Sequence, residues 1–291
     1  MKHQKQTSIS KAVLITGCSS GIGQATALRL AKDGWTVYAT ARKVSSLTAL
    51  EQAGCRTLAL DVTDEQSMLE AVRSIEAIEG AVGVLVNNAG YSQSGAIETV
   101  PLERVRAQFE TNVFGLVRLT QLVLPGMRRQ RWGRIVNLSS MGGKLVFPGG
   151  GFYHATKYAL EAISDALRFE VKGFGVNVIL IEPGLIRSSF AETAVSEMKQ
   201  GPVEDVYANF HEVVAKATQE SYVKGPLSKL AGDPDDVARV IEKAISSNCP
   251  RLRYTVSASA KLLLTQKKLL PDRGWDLFLR MSFPTPVDRH T

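Results

Sequence analysis

Tyr153 and Lys157 stand four residues apart at the start of Phe152–Val171, a stretch with helical periodicity, so their side chains share one helix face. A free phenol releases its proton near pH ~10. A neighbouring ammonium group favours the phenolate and lowers that value. Such a tyrosine can exchange a proton with an alcohol oxygen near neutral pH. Taken alone the pair is also what an ordinary surface helix carries. Ser140, thirteen residues before Tyr153, ends the run Asn137-Leu138-Ser139-Ser140. A hydroxyl there can hydrogen-bond a substrate oxygen as charge develops on it.

A second group of residues suits a dinucleotide. Thr16-Gly17-Cys18-Ser19-Ser20-Gly21-Ile22-Gly23 links an apolar run to a helical one. Its glycine spacing lets the backbone turn tightly and approach a pyrophosphate at the helix N-terminus; a glycine-rich turn without a ligand is the plain alternative. About twenty residues on, an NAD site usually places an acidic residue against the ribose 2′-hydroxyl. The run here is Tyr38-Ala39-Thr40-Ala41-Arg42-Lys43, with no carboxylate. A guanidinium forms paired bonds to phosphate, so Arg42, helped by the Ser19 hydroxyl, suits the 2′-phosphate of NADP(H) in preference to NAD(H). An exposed charged pair capping a strand would look the same. Asp61-Val62 is placed to hold the adenine edge, and Asn88, Ala89 and Gly90 to leave room for a ribose.

These residues need a frame. Short β-branched runs are expected as strands at Ala12–Thr16, Trp35–Thr40, Thr57–Leu60, Val82–Asn87, Arg134–Ser139, Asn177–Glu182 and Tyr254–Val256. Helices are expected at Ile22–Lys32, Glu65–Ile78, Leu102–Arg129, Phe152–Val171 and Pro234–Ser246. Wholly apolar strands alternating with helices predict an α/β fold: a doubly wound parallel sheet of about seven strands, helices on both faces, in a single domain. Residues 1–10 read as a flexible N-terminal tail and residues 11–291 as the domain. Segment 188–233 reads as a lid over the substrate, with Tyr207, Phe210, Val213 and Val214 either in its core or gripping an apolar substrate. Segment 257–291 reads as a C-terminal extension.

The chain has 291 residues, 44% hydrophobic and 22% charged, which excludes a disordered segment, a collagen-like fibre and a disulfide scaffold. Three scattered cysteines, without a CxxC pair, suit reduced thiols in the cytoplasm. No apolar run reaches membrane-spanning length. His3, His154, His211 and His290 lack ligand spacing, so no metal site is expected, and His154 reads as a packing residue. The net charge is +7, and eight Lys and Arg against three Asp fall within Arg251–Thr291. This basic, apolar extension suits a membrane surface, or a helix packed on the domain or on a partner subunit; the packed form is preferred. No nucleic-acid-binding signature accompanies the charge.

In this order, the glycine loop, Asn87–Gly90, Ser140, Tyr153 and Lys157 resemble the short-chain dehydrogenase/reductase family over roughly Lys11 to Ser247. The resemblance implies a Rossmann-type fold with Tyr153 as general acid/base, and Lys157 binding the nicotinamide ribose and lowering the tyrosine pKa. It also implies Ser140 orienting the carbonyl, and Asn112 kinking a helix and holding a water in a proton relay. Pro183, Gly184, Ile186 and Ser188 would contact the nicotinamide carboxamide, Ser188 standing where threonine is common. The runs Val37–Arg42 and Gly17–Gly21 look most like the 17β-hydroxysteroid and retinol dehydrogenase-like branch, which implies NADP(H), a bulky apolar alcohol or carbonyl, and a homodimer or homotetramer. A non-enzymatic NADP(H)-binding redox sensor acting on a protein partner is the alternative.

Overall fold

The computed structural model of the protein describes residues 9–188, 190, 193, 195, 206–224, 226–283 and 285. Seven parallel strands form one sheet: β1 (Val13–Ile15), β2 (Val37–Ala41), β3 (Arg56–Ala59), β4 (Val84–Asn87), β5 (Gly133–Leu138), β6 (Val176–Pro183) and β7 (Arg253–Val256). Their order is β3-β2-β1-β4-β5-β6-β7. The chain reverses direction across the sheet between β1 and β4, where a crevice opens at the carboxyl ends of the strands.

Side chains alternate strictly between the two faces. Val13, Ile15, Val84, Val86, Val136, Ile179 and Ile181 face one apolar layer. Their neighbours Leu14, Leu85, Ile135 and Val178 face the other. The first layer is closed by α1 (Gly21–Lys32) and α8 (Pro234–Ser246), through Ala27, Leu30, Val237 and Ile241. The second is closed by α3 (Glu65–Glu79) and α5 (Gly115–Gln130), through Met68, Ile75, Leu119 and Val123. Each such side chain contributes about 1.5–3 kcal/mol on burial. Helix starts are set by side chains: Asp64 accepts from the Gln66 and Ser67 amides, and Asp233 with Asp236 forms a capping box ahead of α8.

Three expectations need correction. β3 lies at the sheet edge and is half exposed, because only one strand covers it. The single helix expected over Leu102–Arg129 is broken into α4 (Leu102–Phe109), a π-helical turn at Glu110–Phe114, and α5. Ser10, assigned to the N-terminal tail, is buried, its hydroxyl donating to the Ala81 carbonyl (2.7 Å) and its amide to Gln130 Oε1 (2.9 Å); residues 1–8 lie outside the described residues.

Beyond those elements the chain forms α2 (Thr48–Gln52), α6 (Gly151–Val171), α7 (Ala208–Val223), α9 (Ala258–Leu269) and α10 (Asp272–Arg280). Much of the expected lid, including 196–205, lies outside the described residues. Helix α7 packs Phe210 and Val214 against Ala96. The extension packs on the domain: Ala260, Leu263 and Trp275 are buried with Met141, Leu145 and Leu185.

Candidate active site

A cavity of about 1360 Å³ runs across the carboxyl ends of the strands. It brings together Gly17, Ser19, Ser20, Gly21, Ile22, Arg42, Asp61, Val62, Asn88, Ala89, Gly90, Ser140, Tyr153, Lys157, Pro183, Gly184, Ile186 and Ser188. Gly23 and Asn112, the remaining residues singled out by sequence, stand behind the wall.

The glycine loop is shaped by its neighbours. Gly17 and Gly21 have φ of +71° and +59°, a region that side chains disfavour. A Cβ on Gly23 would fall 2.4 Å from the Gly17 carbonyl oxygen and 2.5 Å from Asn88 Nδ2. Asn88 Nδ2 donates to the Thr16 and Gly17 carbonyls (2.8 and 3.0 Å), and Thr16 Oγ1 accepts from the Asn88 and Ala89 amides. Asn88 therefore holds the loop itself. Cys18 is buried, its thiol donating to the Ile15 carbonyl and pushed up to about 12 by desolvation, which leaves it inert. Arg42 is exposed at the cavity edge and forms no ion pair with any described residue. Asp61 Oδ1 accepts from the Thr63 amide and hydroxyl, so this oxygen shapes the turn after β3. A loop free of side-chain bulk, the N-terminus of α1 and an unpaired guanidinium together fit a phosphorylated dinucleotide.

The catalytic candidates converge on the ends of β5 and α6. Ser140 Oγ accepts from the Gly142 amide (3.0 Å), and the Ser140 side chain lies near enough to Tyr153 to favour its ionised form. Lys157 Nζ donates to the Leu138 carbonyl (2.7 Å) and lies 5.7 Å from the Tyr153 ring centre. The π-helical turn presents Asn112 to the backbone of Tyr91: Oδ1 accepts from its amide (3.1 Å) and Nδ2 donates to its carbonyl (2.9 Å). A Cβ on Gly90 would meet Asn112 Oδ1 at 3.0 Å and Lys157 Nζ at 3.9 Å, so both groups flank this glycine.

The expected lowering of the tyrosine pKa is not produced by the protein's own groups. Burial pushes Tyr153 up to about 12, and the neighbouring Ser140 side chain offsets this only in part. Lys157 is itself pushed down to about 8 by burial, against the pull of Glu161, and its ammonium is directed at Leu138. The phenol therefore rests protonated at neutral pH.

His154 shapes this site through the backbone. Its Nδ1–H donates to the Gly142 carbonyl (3.0 Å) and its Nε2 accepts from the Phe147 amide (3.2 Å). It clamps the loop that carries Ser140. Sequence reading missed the far wall of the cavity: Tyr222 on α7, Leu263 on α9, and Phe278, Leu279 and Phe283 in the extension. These residues stand far along the chain from every motif. Among the described residues no cluster of His, Cys, Asp and Glu could hold a metal, and no helix is long and apolar enough to cross a membrane.

Known proteins share this architecture. A family model described as short chain dehydrogenase matches residues 11–199. The 3-ketodihydrosphingosine reductase of Bacteroides thetaiotaomicron is 36% identical over 273 residues, covering 93% of this chain and 97% of that protein. The NADPH-dependent 3-dehydrocapnine reductase of Ornithobacterium rhinotracheale is 34% identical over 273 residues, covering 90% and 94%. A short-chain dehydrogenase from Streptomyces avermitilis superposes with a TM-score of 0.76 at 34% identity, covering 92% and 93%. Sequence, sheet order and cavity agree: the chain belongs to the short-chain dehydrogenase/reductase family of oxidoreductases.

Proposed function

We propose that the protein is an NADP(H)-dependent carbonyl reductase, interconverting a ketone or aldehyde on a bulky apolar chain with its alcohol. One observation carries this reading: a single cavity sets Ser140, Tyr153 and Lys157 between the glycine-lined groove and an apolar wall. A nicotinamide cofactor held in the groove would supply the hydride for the carbonyl carbon. Tyr153, held protonated by burial, gives its proton to the carbonyl oxygen as that bond forms. Ser140 Oγ accepts from Gly142, so its own hydrogen is available to the same oxygen. Lys157 would hold the nicotinamide ribose and, with Asn112 across Gly90, would return a proton to the phenolate. Pro183, Gly184, Ile186 and Ser188, which line the groove, would hold the nicotinamide end of the cofactor, and Asp61 and Val62 the adenine end.

Arg42, which pairs with no described acidic residue and lines the cavity with Ser19, supports NADP(H) over NAD(H). Two relatives whose names denote reductases of 3-keto and 3-dehydro compounds, one NADPH-dependent, support a reductive direction. Exposed Phe114, Tyr158 and Phe169 on α5's approach and on α6 support a homo-oligomer, and the buried free thiols Cys18 and Cys55 a cytoplasmic setting. The test is NADPH and NADH consumption across long-chain ketones by the wild type, Arg42→Ala and Tyr153→Phe. Tyr153→Phe is expected to lose at least about 100-fold in kcat, and Arg42→Ala to narrow the preference for NADPH. Near-native turnover by Tyr153→Phe overturns the mechanism; tight NADPH binding without turnover of any carbonyl favours the sensor.

A further inference from the structure

We infer that the Tyr222 hydroxyl recognises a second polar group of the substrate, a hydroxyl carried near the reacting carbonyl carbon. This rests on the carbonyl-reductase reading and specifies its substrate: an apolar chain with a two-point polar head.

Tyr222 stands on α7 and lines the same cavity as Tyr153. Its ring packs with the apolar cluster of Met141, Leu145, Leu185 and Leu227. Its hydroxyl hydrogen-bonds no described residue. That sets it apart from tyrosines whose hydroxyl serves the fold: Tyr38 bonds Arg56 and Glu79, Tyr207 donates to Glu98 (2.7 Å), and Tyr254 accepts from the Arg251 amide (3.0 Å). A phenylalanine would pack equally well in this wall without the cost of desolvating an oxygen. The phenol is thus a polar group supplied to the cavity, not to the protein.

Tyr222 is also near enough to the reaction centre to sense it. Desolvation raises its pKa, and a negative charge on Tyr153 raises it further. It therefore stays a neutral hydrogen-bond donor while Tyr153 turns over its proton. Ser221, beside it, gives its hydroxyl to the Ala217 carbonyl (2.7 Å). Thr218, one turn earlier on the same face as Tyr222, lines the cavity too, which extends the polar strip along α7. Leu263, Phe278 and Leu279 suit the hydrocarbon remainder of the substrate, and Glu220, the charged residue of α7 that also lines the cavity, disfavours an acidic or phosphorylated head.

The experiment compares a long-chain methyl ketone with the hydroxymethyl ketone and the β-hydroxy ketone of equal chain length, in wild type and Tyr222→Phe. NADPH titration by fluorescence and a thermal melt verify that the variant is folded. Because the hydroxylated ketones differ in intrinsic reactivity, the readout is the change in their kcat/KM relative to the plain ketone. Tyr222→Phe is expected to lower that ratio for one hydroxylated ketone about tenfold, through KM rather than kcat, since the bond forms in ground and transition states alike. Ratios within twofold of wild type for both hydroxylated ketones overturn the inference and leave the reductase reading standing. A folded, NADPH-binding wild type that reduces none of the three overturns that reading and this one with it.

Discussion

His154 sits next in sequence to the proton-transfer candidate, yet its influence runs through two backbone bonds. Its neutral form is required, because Nε2 accepts from the Phe147 amide while Nδ1 donates to Gly142. Burial pushes its pKa from 6.5 down to about 4. Between those values the unfolded chain binds the proton and the folded chain does not. The stability contribution is complete above about pH 6.5 and is lost as pH falls toward about 4, amounting to on the order of 3 kcal/mol. Urea unfolding at about pH 7.5 and about pH 4.5 tests this against His154→Gln, which cannot titrate. The stability gap between wild type and variant is expected to narrow by about 2 kcal/mol at the lower pH. An equal gap at both values removes the linkage.

At the scale of elements, what sequence revealed was what periodicity and local spacing encode. Strands such as Leu85 between Val84 and Val86 announce themselves by β-branched runs, and Ser140, Tyr153 and Lys157 lie within one strand–loop–helix passage. The π-helical turn at Asn112 was legible only through the family resemblance, which implied a kink there, and not through periodicity, because Asn112 is satisfied by the backbone of Tyr91, a partner outside any helical repeat. The clamp between the groove and the extension was not legible. The first turn of α9 rests on Gly184: a Cβ there would meet Ser257 Oγ at 2.6 Å, and the Ala260 amide and Ser259 Oγ at 2.7 Å. Ser259 Oγ also accepts from the Leu185 amide (3.1 Å), and Ser257 takes a φ of +82° to make the turn. The glycine reads as part of a family motif, but its neighbours come from seventy residues away. Gly184→Ala is expected to cost about 1–3 kcal/mol by overpacking. It should also weaken NADPH binding, because Leu185 and Ile186 line the groove. Urea midpoints and NADPH titration measure both, and a variant unchanged in the two shows the contact to be soft.

Over the whole molecule, the net charge of +7 and its concentration near the C-terminus acquire structural roles. Arg253 turns inward to Glu161 and Asp165, behind Ser139 and the end of β5. Lys267 pairs with Asp272 and lies 5.5 Å from the Trp275 ring centre. Part of the apolar extension packs on protein: Trp275 is 4% exposed and its ring centre lies 6.1 Å from that of Phe147 and 5.1 Å from that of Phe278, while Leu269, Leu277 and Met281 stay exposed. Phe147 belongs to the loop that His154 clamps, so the last helix, the Ser140 loop and the cavity wall form one packed unit. Removing the indole should therefore act on substrate length before it acts on chemistry. Trp275→Ala is expected to cost about 3 kcal/mol of stability. It should raise KM for long-chain ketones several-fold more than for short ones, because Phe278 and Leu279 lose the support that aligns them along the cavity. A chain-length series of ketones assayed with saturating NADPH gives the measurement. If KM rises equally at every length, the extension is a brace for the fold and takes no part in choosing the substrate.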